Sequence, residues 1–210
     1  MNKETSDLLY TLPQGLPSYA SDLTDLDEAD IPQDRIPKLR ILLKDANEYI
    51  ALEAARLLCS WADDEGFDFI QRFVCDREPL AENWMPHRLR VYDDTYKHLL
   101  DALIRYWAKN SDNGNGITAR KKIVRPVSRI IIFSNINQFE IKRIFWLIED
   151  EGFTEYIPEL KSHLTEILKN PEFHHWKIGD CAHLLQKFDP EFVTKTLAAH
   201  GKTLADYPVQ

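Results

Sequence analysis

The side chains that could do chemistry fall in three places. His174, His175 and His183 surround Cys181 near the C-terminus. Imidazole and thiolate are zinc ligands, and His175 and His183 are spaced to share a helix face. No Cys-x-x-Cys or His-Glu-x-x-His pattern accompanies them, so they are expected to be helix histidines, with no metal and no cofactor. His87 lies near Asp93 and Asp94, residue types suited to acid–base catalysis, beside a long Pro-bounded loop that could serve as a lid. Asp and Glu supply 34 of the 210 residues, so such groupings arise by chance, and the expectation is a protein that is not an enzyme. Asn113-Gly-Asn-Gly116 has neither the lysine nor the preceding strand of a phosphate loop. The third place is the basic run Arg120, Lys121, Lys122, Arg125 and Arg129, interleaved with Ile123, Val124, Val127, Ile130 and Ile131. It suits phosphate binding, or an internal match to an acidic region elsewhere.

Charge chooses between those uses. The formal net charge is −8, which disfavours nucleic acid as the main partner, because phosphate binding needs a positive surface. Residues 1–80 hold 17 Asp/Glu and 8 Lys/Arg, whereas residues 81–210 hold 17 and 18. The acidity therefore belongs to the first third, and an acidic surface steers a basic protein partner. The expected contact residues on that reasoning are Asp22, Asp25, Asp27, Glu28, Asp63, Asp64, Asp94 and Asp101. Trp84 and Arg88 join them. They sit with His87 and Arg90 on the irregular stretch Asp76 to Arg90, which Pro79 and Pro86 interrupt, and Trp and Arg dominate interface energetics.

The elements that would position these residues read as helices. Residues 1–34 carry Pro13, Pro17, Pro32 and Gly15, which break regular structure, and are expected to be a solvated N-terminal arm whose acidic stretch Asp22 to Asp30 forms one short helix or lies extended against the first repeat. Ile36 to Lys44 places Ile36, Leu39, Leu42 and Leu43 on one face, with Pro37 in the first turn. Asn47 caps the next helix, whose stripe is Ile50, Ala54, Leu57, Leu58, Trp61 and Ala62. Phe67, Ile70, Phe73 and Val74 are the core face of the helix after Asp63-Asp64. A long helix is expected over Val91 to Lys109, then a linker over Asn110 to Gly116. Ile130-Ile131-Ile132-Phe133 has strand propensity, yet its neighbours argue for helix, with Pro126 starting or kinking it. Further helices are expected over Gln138 to Glu149, Phe153 to Leu168 and Phe173 to Phe188, with a short one after Asp189-Pro190. Asp64-Glu65-Gly66-Phe67 returns as Asp150-Glu151-Gly152-Phe153, which suggests two copies of a repeat. Helices starting near residues 47, 91, 138 and 173 give steps typical of paired-helix repeats, which must stack to bury their apolar faces.

The stretch Tyr49-Ile-Ala-Leu-Glu-Ala-Ala-Arg-Leu-Leu58, followed by Asp63-Asp64-Glu65-Gly66, resembles a HEAT-like repeat. The resemblance covers Ile36 to Val74 and, less closely, Gln138 to Leu168. It implies an all-α, right-handed α-solenoid of about four HEAT-like helix pairs over residues 35–200, with an arm over 1–34 and a tail over 201–210. HEAT motifs specify packing and carry no catalytic residues. In size and style the chain also resembles the immunity proteins that neutralise toxins passed between competing bacteria. That implies a protein-binding module occluding a cognate toxin, itself basic. The rival readings are a HEAT-like nucleic-acid-acting enzyme of the DNA glycosylase type and a scaffold or adaptor. Cys59, Cys75 and Cys181 read as free thiols of a reducing compartment. The absence of a signal-like apolar segment and of an 18-residue apolar window points to the cytoplasm and to no membrane partner.

Overall fold

Helix α3 (Glu48–Ser60) is built for burial: its last eleven residues, Ile50 to Ser60, are all shielded from solvent. Asn47 starts it by accepting from the Tyr49 and Ile50 amides. The computed structural model describes residues 1–16, 21–80, 84–90 and 92–208, and further α-helices lie among them. They are α1 (Lys3–Tyr10), α2 (Ile36–Leu42), α4 (Asp64–Cys75), α5 (Thr95–Asp112), α6 (Gly116–Phe133), α7 (Phe145–Glu149), α8 (Ile157–Ile167), α9 (Pro171–Gln186) and α10 (Pro190–Ala198). The described residues are about 66% helical and contain no strand. No helix among them is long and apolar enough to cross a membrane. The chain divides into two compact units. The first holds residues 1–80 and 98–126, and the second holds 81–97 and 127–210. Helices α5 and α6 each contribute to both, and Pro126 stands at the boundary inside α6. Its ring removes the amide that would bond to the Lys122 carbonyl.

In the first unit α3 packs against α1, α2 and α4. Its end is a Schellman turn: Ala62 N–H bonds to the Cys59 carbonyl and Asp63 N–H to the Leu58 carbonyl, at 3.0 and 2.9 Å. Ala62 occupies the left-handed position of that turn, with φ 64°, where glycine is usual. Asp63 then caps α4 through the Glu65 and Gly66 amides. Gly66 lies where α4 touches α3. A Cβ there would stand 2.5 Å from Leu58 Cβ and 2.6 Å from the Cys59 amide nitrogen. The four residues shared with Asp150–Phe153 fold differently there. Gly152, at φ 67°, is itself the left-handed residue of a turn after α7, with open space around it. One tetrapeptide thus opens a helix and the other closes one. Asp63 makes the difference, because it supplies a cap where the second stretch has Glu149.

The arm is folded into the first unit. Leu9, Leu23, Leu26 and Ile31 are buried in one cluster with Leu39, Ile50, Ala54, Leu57, Leu58 and Trp61. Each such aliphatic contributes about 2 kcal/mol of burial. Helix α1, unannounced by the proline-rich composition, is capped by Asn2 through the Thr5 amide.

In the second unit α8 packs on α9, and α9 on α10. Residues 130–133 are helical, the end of α6, with Ile130, Ile131 and Phe133 buried. Tertiary burial overrides local strand propensity there. The helix expected over 138–149 begins only at Lys142, as a 3₁₀ turn that leads into α7. Phe139 and Ile141 are buried while Gln138 and Glu140 are half-exposed, the two-residue period of an extended segment, and only α7 and one preceding 3₁₀ turn are helical. The long central helix starts at Thr95 rather than Val91, which lies outside the described residues, and it extends into the expected linker as far as Asp112, leaving residues 113–115 as the turn before α6. The tail is anchored by Tyr207, which is buried against α9 beside Gly179 and accepts from His183 Nε2 at 3.0 Å.

Candidate protein-binding surfaces

The acidic arm is held by one stripe that runs along α5 and ends on Asn113, just past it. Arg105 donates to Thr24 Oγ1 at 3.0 Å and to Asp25 at 2.5 Å. Lys109, one turn on, donates to the Leu26 carbonyl at 2.8 Å. Asn113, a further turn on, donates to Glu28 at 3.1 Å. Trp61 Nε1 adds a bond to the Leu23 carbonyl at 2.8 Å. Polar groups therefore fasten the arm, through two backbone carbonyls and three side chains, while Leu23 and Leu26 fill the core. Asp22, Asp27 and Glu28 remain exposed on the outer side. Burial opposes the charge on Asp22, but Arg56 and the Thr24 amide outweigh it and hold its carboxyl below the usual range. Arg56 is itself buried and paired with buried Glu53 through two 3.1 Å hydrogen bonds.

The other acidic candidates have structural work. Asp63 caps α4 and takes Arg40 at 2.6 and 3.0 Å. Asp64 accepts from Lys122 at 2.7 Å and from the Tyr106 hydroxyl at 2.5 Å. Those two bonds hold its carboxyl below the usual carboxylate range. Burial, then Asp64, pushes Tyr106 up to about 12. Asp101 is half-buried on α5. The basic run thus supplies Lys122 to the acidic first third, and Arg125 lies 3.7 Å from Asp76, an internal match for part of it.

In the second unit the described loop residues 84–90 and 92–94 pair as a hairpin. His87 N–H bonds to the Tyr92 carbonyl and Asp94 N–H to the Met85 carbonyl, at 2.9 and 2.8 Å. Asp93 accepts from the Met85 and Thr95 amides, so it ties the hairpin and opens α5. His87 Nδ1 accepts from the Leu89 amide, and its Nε2 stands 4.0 Å from Asp94 Oδ2, beyond hydrogen-bond reach. His87 packs on Tyr92, and Tyr92 stacks on Trp176. Asp94 is buried, Trp84 is half-buried, and Arg88 stands exposed at the tip beside Leu89 and Arg90.

The histidines around Cys181 do not converge. His174 is buried, His175 is exposed near the Tyr207 ring, and His183 holds the tail. Burial pushes the Cys181 thiol well up, and it donates to the Leu160 carbonyl. No group of three His, Cys, Asp or Glu side chains among the described residues could hold a metal ion. Sequence reasoning missed the Arg105–Lys109–Asn113 stripe, although its four-residue spacing was visible, and it missed the buried pair Glu53–Arg56. The structure gathers Asp22, Asp25, Asp27 and Glu28 on one arm of the first unit. Asp63 and Asp64 lie together at the start of α4, and Trp84, Arg88 and Asp94 belong to the hairpin of the second.

Comparison with known protein families, with curated proteins and with solved structures gave no match. What the fold defines is a class: a two-unit, all-helical protein whose arm and hairpin are pinned to helices.

Proposed function

We propose that the chain is a non-enzymatic protein-binding module that captures a basic partner protein. The preorganised arm carries this reading: Trp61 and Lys109 pin its backbone and Arg105 holds its Thr24 and Asp25 side chains, while Asp22, Asp27 and Glu28 face solvent. Carboxylates fixed before encounter lose little conformational entropy on binding, and their field speeds association with a positive surface. The hairpin tip at Arg88 and half-buried Trp84 supply contacts of the kind that anchor interfaces. The most concrete form of the reading is immunity, with the protein lying over the working site of a cognate toxin in the cytoplasm and blocking it. Scaffolding within a stable assembly is the alternative form.

The test is a pull-down from the source organism with the wild-type chain and with the triple variant D22K/D27K/E28K, eluted in steps of salt. The expected result is one dominant basic protein, released only at high salt, lost by the variant and toxic when expressed without this chain. Equal retention by both baits, or recovery of nucleic acid in place of a protein, would overturn the reading.

A further inference from the structure

Three basic side chains are buried together in the second unit. His163 on α8 is 1% exposed, and His174 and Lys177 on α9 are 3% and 4% exposed. Lys177 Nζ donates to the Ser134 and Asn137 carbonyls at 2.6 and 2.5 Å, closing the turn that ends α6. His163 Nδ1 lies 2.5 Å from Asn135 Oδ1 and 3.4 Å from Ser134 Oγ. An amide oxygen can only accept, so the ring carries its proton on Nδ1, and Nε2 is left buried with no hydrogen-bond partner. His174 bonds to the Asn135 backbone, and its Nδ1 is likewise unpartnered; the Phe173 ring meets it edge-on. A proton added at either bare nitrogen would place a cation in an apolar packing layer beside Lys177.

The nearby acids are otherwise engaged or removed. Asp180 on α9 pairs with Lys142 at 3.0 Å, and Asp189 pairs with Lys161. Glu159, one turn before His163 on α8, has its Oε2 buried without a hydrogen-bond partner and is no partner of His163. Glu166 pairs with Lys169 on the exposed side of α8, and the Cys181 thiol is neutral. Among these groups no carboxylate meets either imidazole.

We propose that the His163–His174–Lys177 cluster is an acid-sensitive latch that holds α8, α9 and the end of α6 together at neutral pH and opens them on acidification. Burial, then Lys177, pushes His163 down to about 3 and His174 to about 4. The unfolded segment takes up both protons near 6.5. Between roughly pH 4 and 6.5 the open form therefore binds more protons than the closed one, and stability falls as pH falls. Burial also lowers Lys177 to about 7, so its share of the cost is complete before the histidines titrate. The acids Asp22 and Asp64 of the first unit are paired and stay charged to lower pH.

The glycines make the test direct, because the chain has only 7 of them and Gly66 reports α4 while Gly179 reports α9. Amide NMR spectra of the full chain are recorded from pH 7.5 to 4. The expected result is loss of the folded Gly179 signal between pH 6 and 4 while that of Gly66 persists. In the variant H163N/H174Q, which keeps a neutral donor at each site, the Gly179 midpoint falls by at least one pH unit. Simultaneous loss of both signals, or an imidazole titration near 6.5 for His163 in the folded wild type, would overturn the proposal. If the double variant fails to fold, the wild-type imidazole titration decides the matter by itself.

Discussion

Replacing Gly66 by alanine tests the contact on which the first unit is assembled. The added Cβ would sit 2.5 Å from Leu58 Cβ, 2.6 Å from the Cys59 nitrogen and 2.9 Å from the Leu58 carbonyl carbon. Ordinary carbon contacts lie near 3.5–4.0 Å, so α4 must retreat by about 1 Å. Two of the three obstacles are backbone atoms of α3, which cannot rotate away. Helix α3 is itself enclosed, so it cannot recoil without opening its contacts with α1 and α2. Overpacking of this kind costs about 1–3 kcal/mol, and alanine returns up to about 1 kcal/mol of helix propensity. The expected net loss is about 1 kcal/mol, read as a lower urea midpoint by far-UV circular dichroism with an unchanged slope. Gly66→Ser should lose at least as much. A change within about 0.5 kcal/mol of wild type would refute the close approach of α3 and α4 and the account of why this position is glycine.

Ala62 and Gly152 test the two turns in opposite directions. Ala62→Gly relieves a left-handed alanine and should raise stability by about 1 kcal/mol, whereas Gly152→Ala should lower it by about 1 kcal/mol, both measured by urea denaturation. Glu53→Ala leaves Arg56 buried without its main partner and should cost about 3–5 kcal/mol, while the double variant Glu53→Leu, Arg56→Met should recover most of that loss in the same assay. Arg105→Met removes the bonds to Thr24 and Asp25, so limited proteolysis should cut within residues 21–31 several-fold faster, with the rest of the chain unaffected.

Much of the helical architecture was legible in composition and periodicity. Few glycines, the stripe from Ile50 to Trp61, the cap at Asn47 and the acidic turn at Asp63-Asp64 determine α3 and α4 within a residue or two, because capping and amphipathic period are local properties. The same locality explains the failures. Asp-Glu-Gly-Phe occurs twice, but its conformation depends on what precedes it and on which helix it meets, so a repeated string is not a repeated structure. Gln138 to Glu149 carried a helix-like apolar spacing, yet Phe139 and Ile141 reach the core by alternation because Lys177, some 40 residues away, seals the preceding turn. The acidic arm read as solvated since prolines break helices. Only the tertiary structure brings Arg105 and Lys109 beneath it, more than 70 residues distant in sequence. The acidity of the first third follows from residue counts alone. Which carboxylates cap helices, which close ion pairs and which face solvent is decided by packing, since burial and partner distance set the energy of each charge.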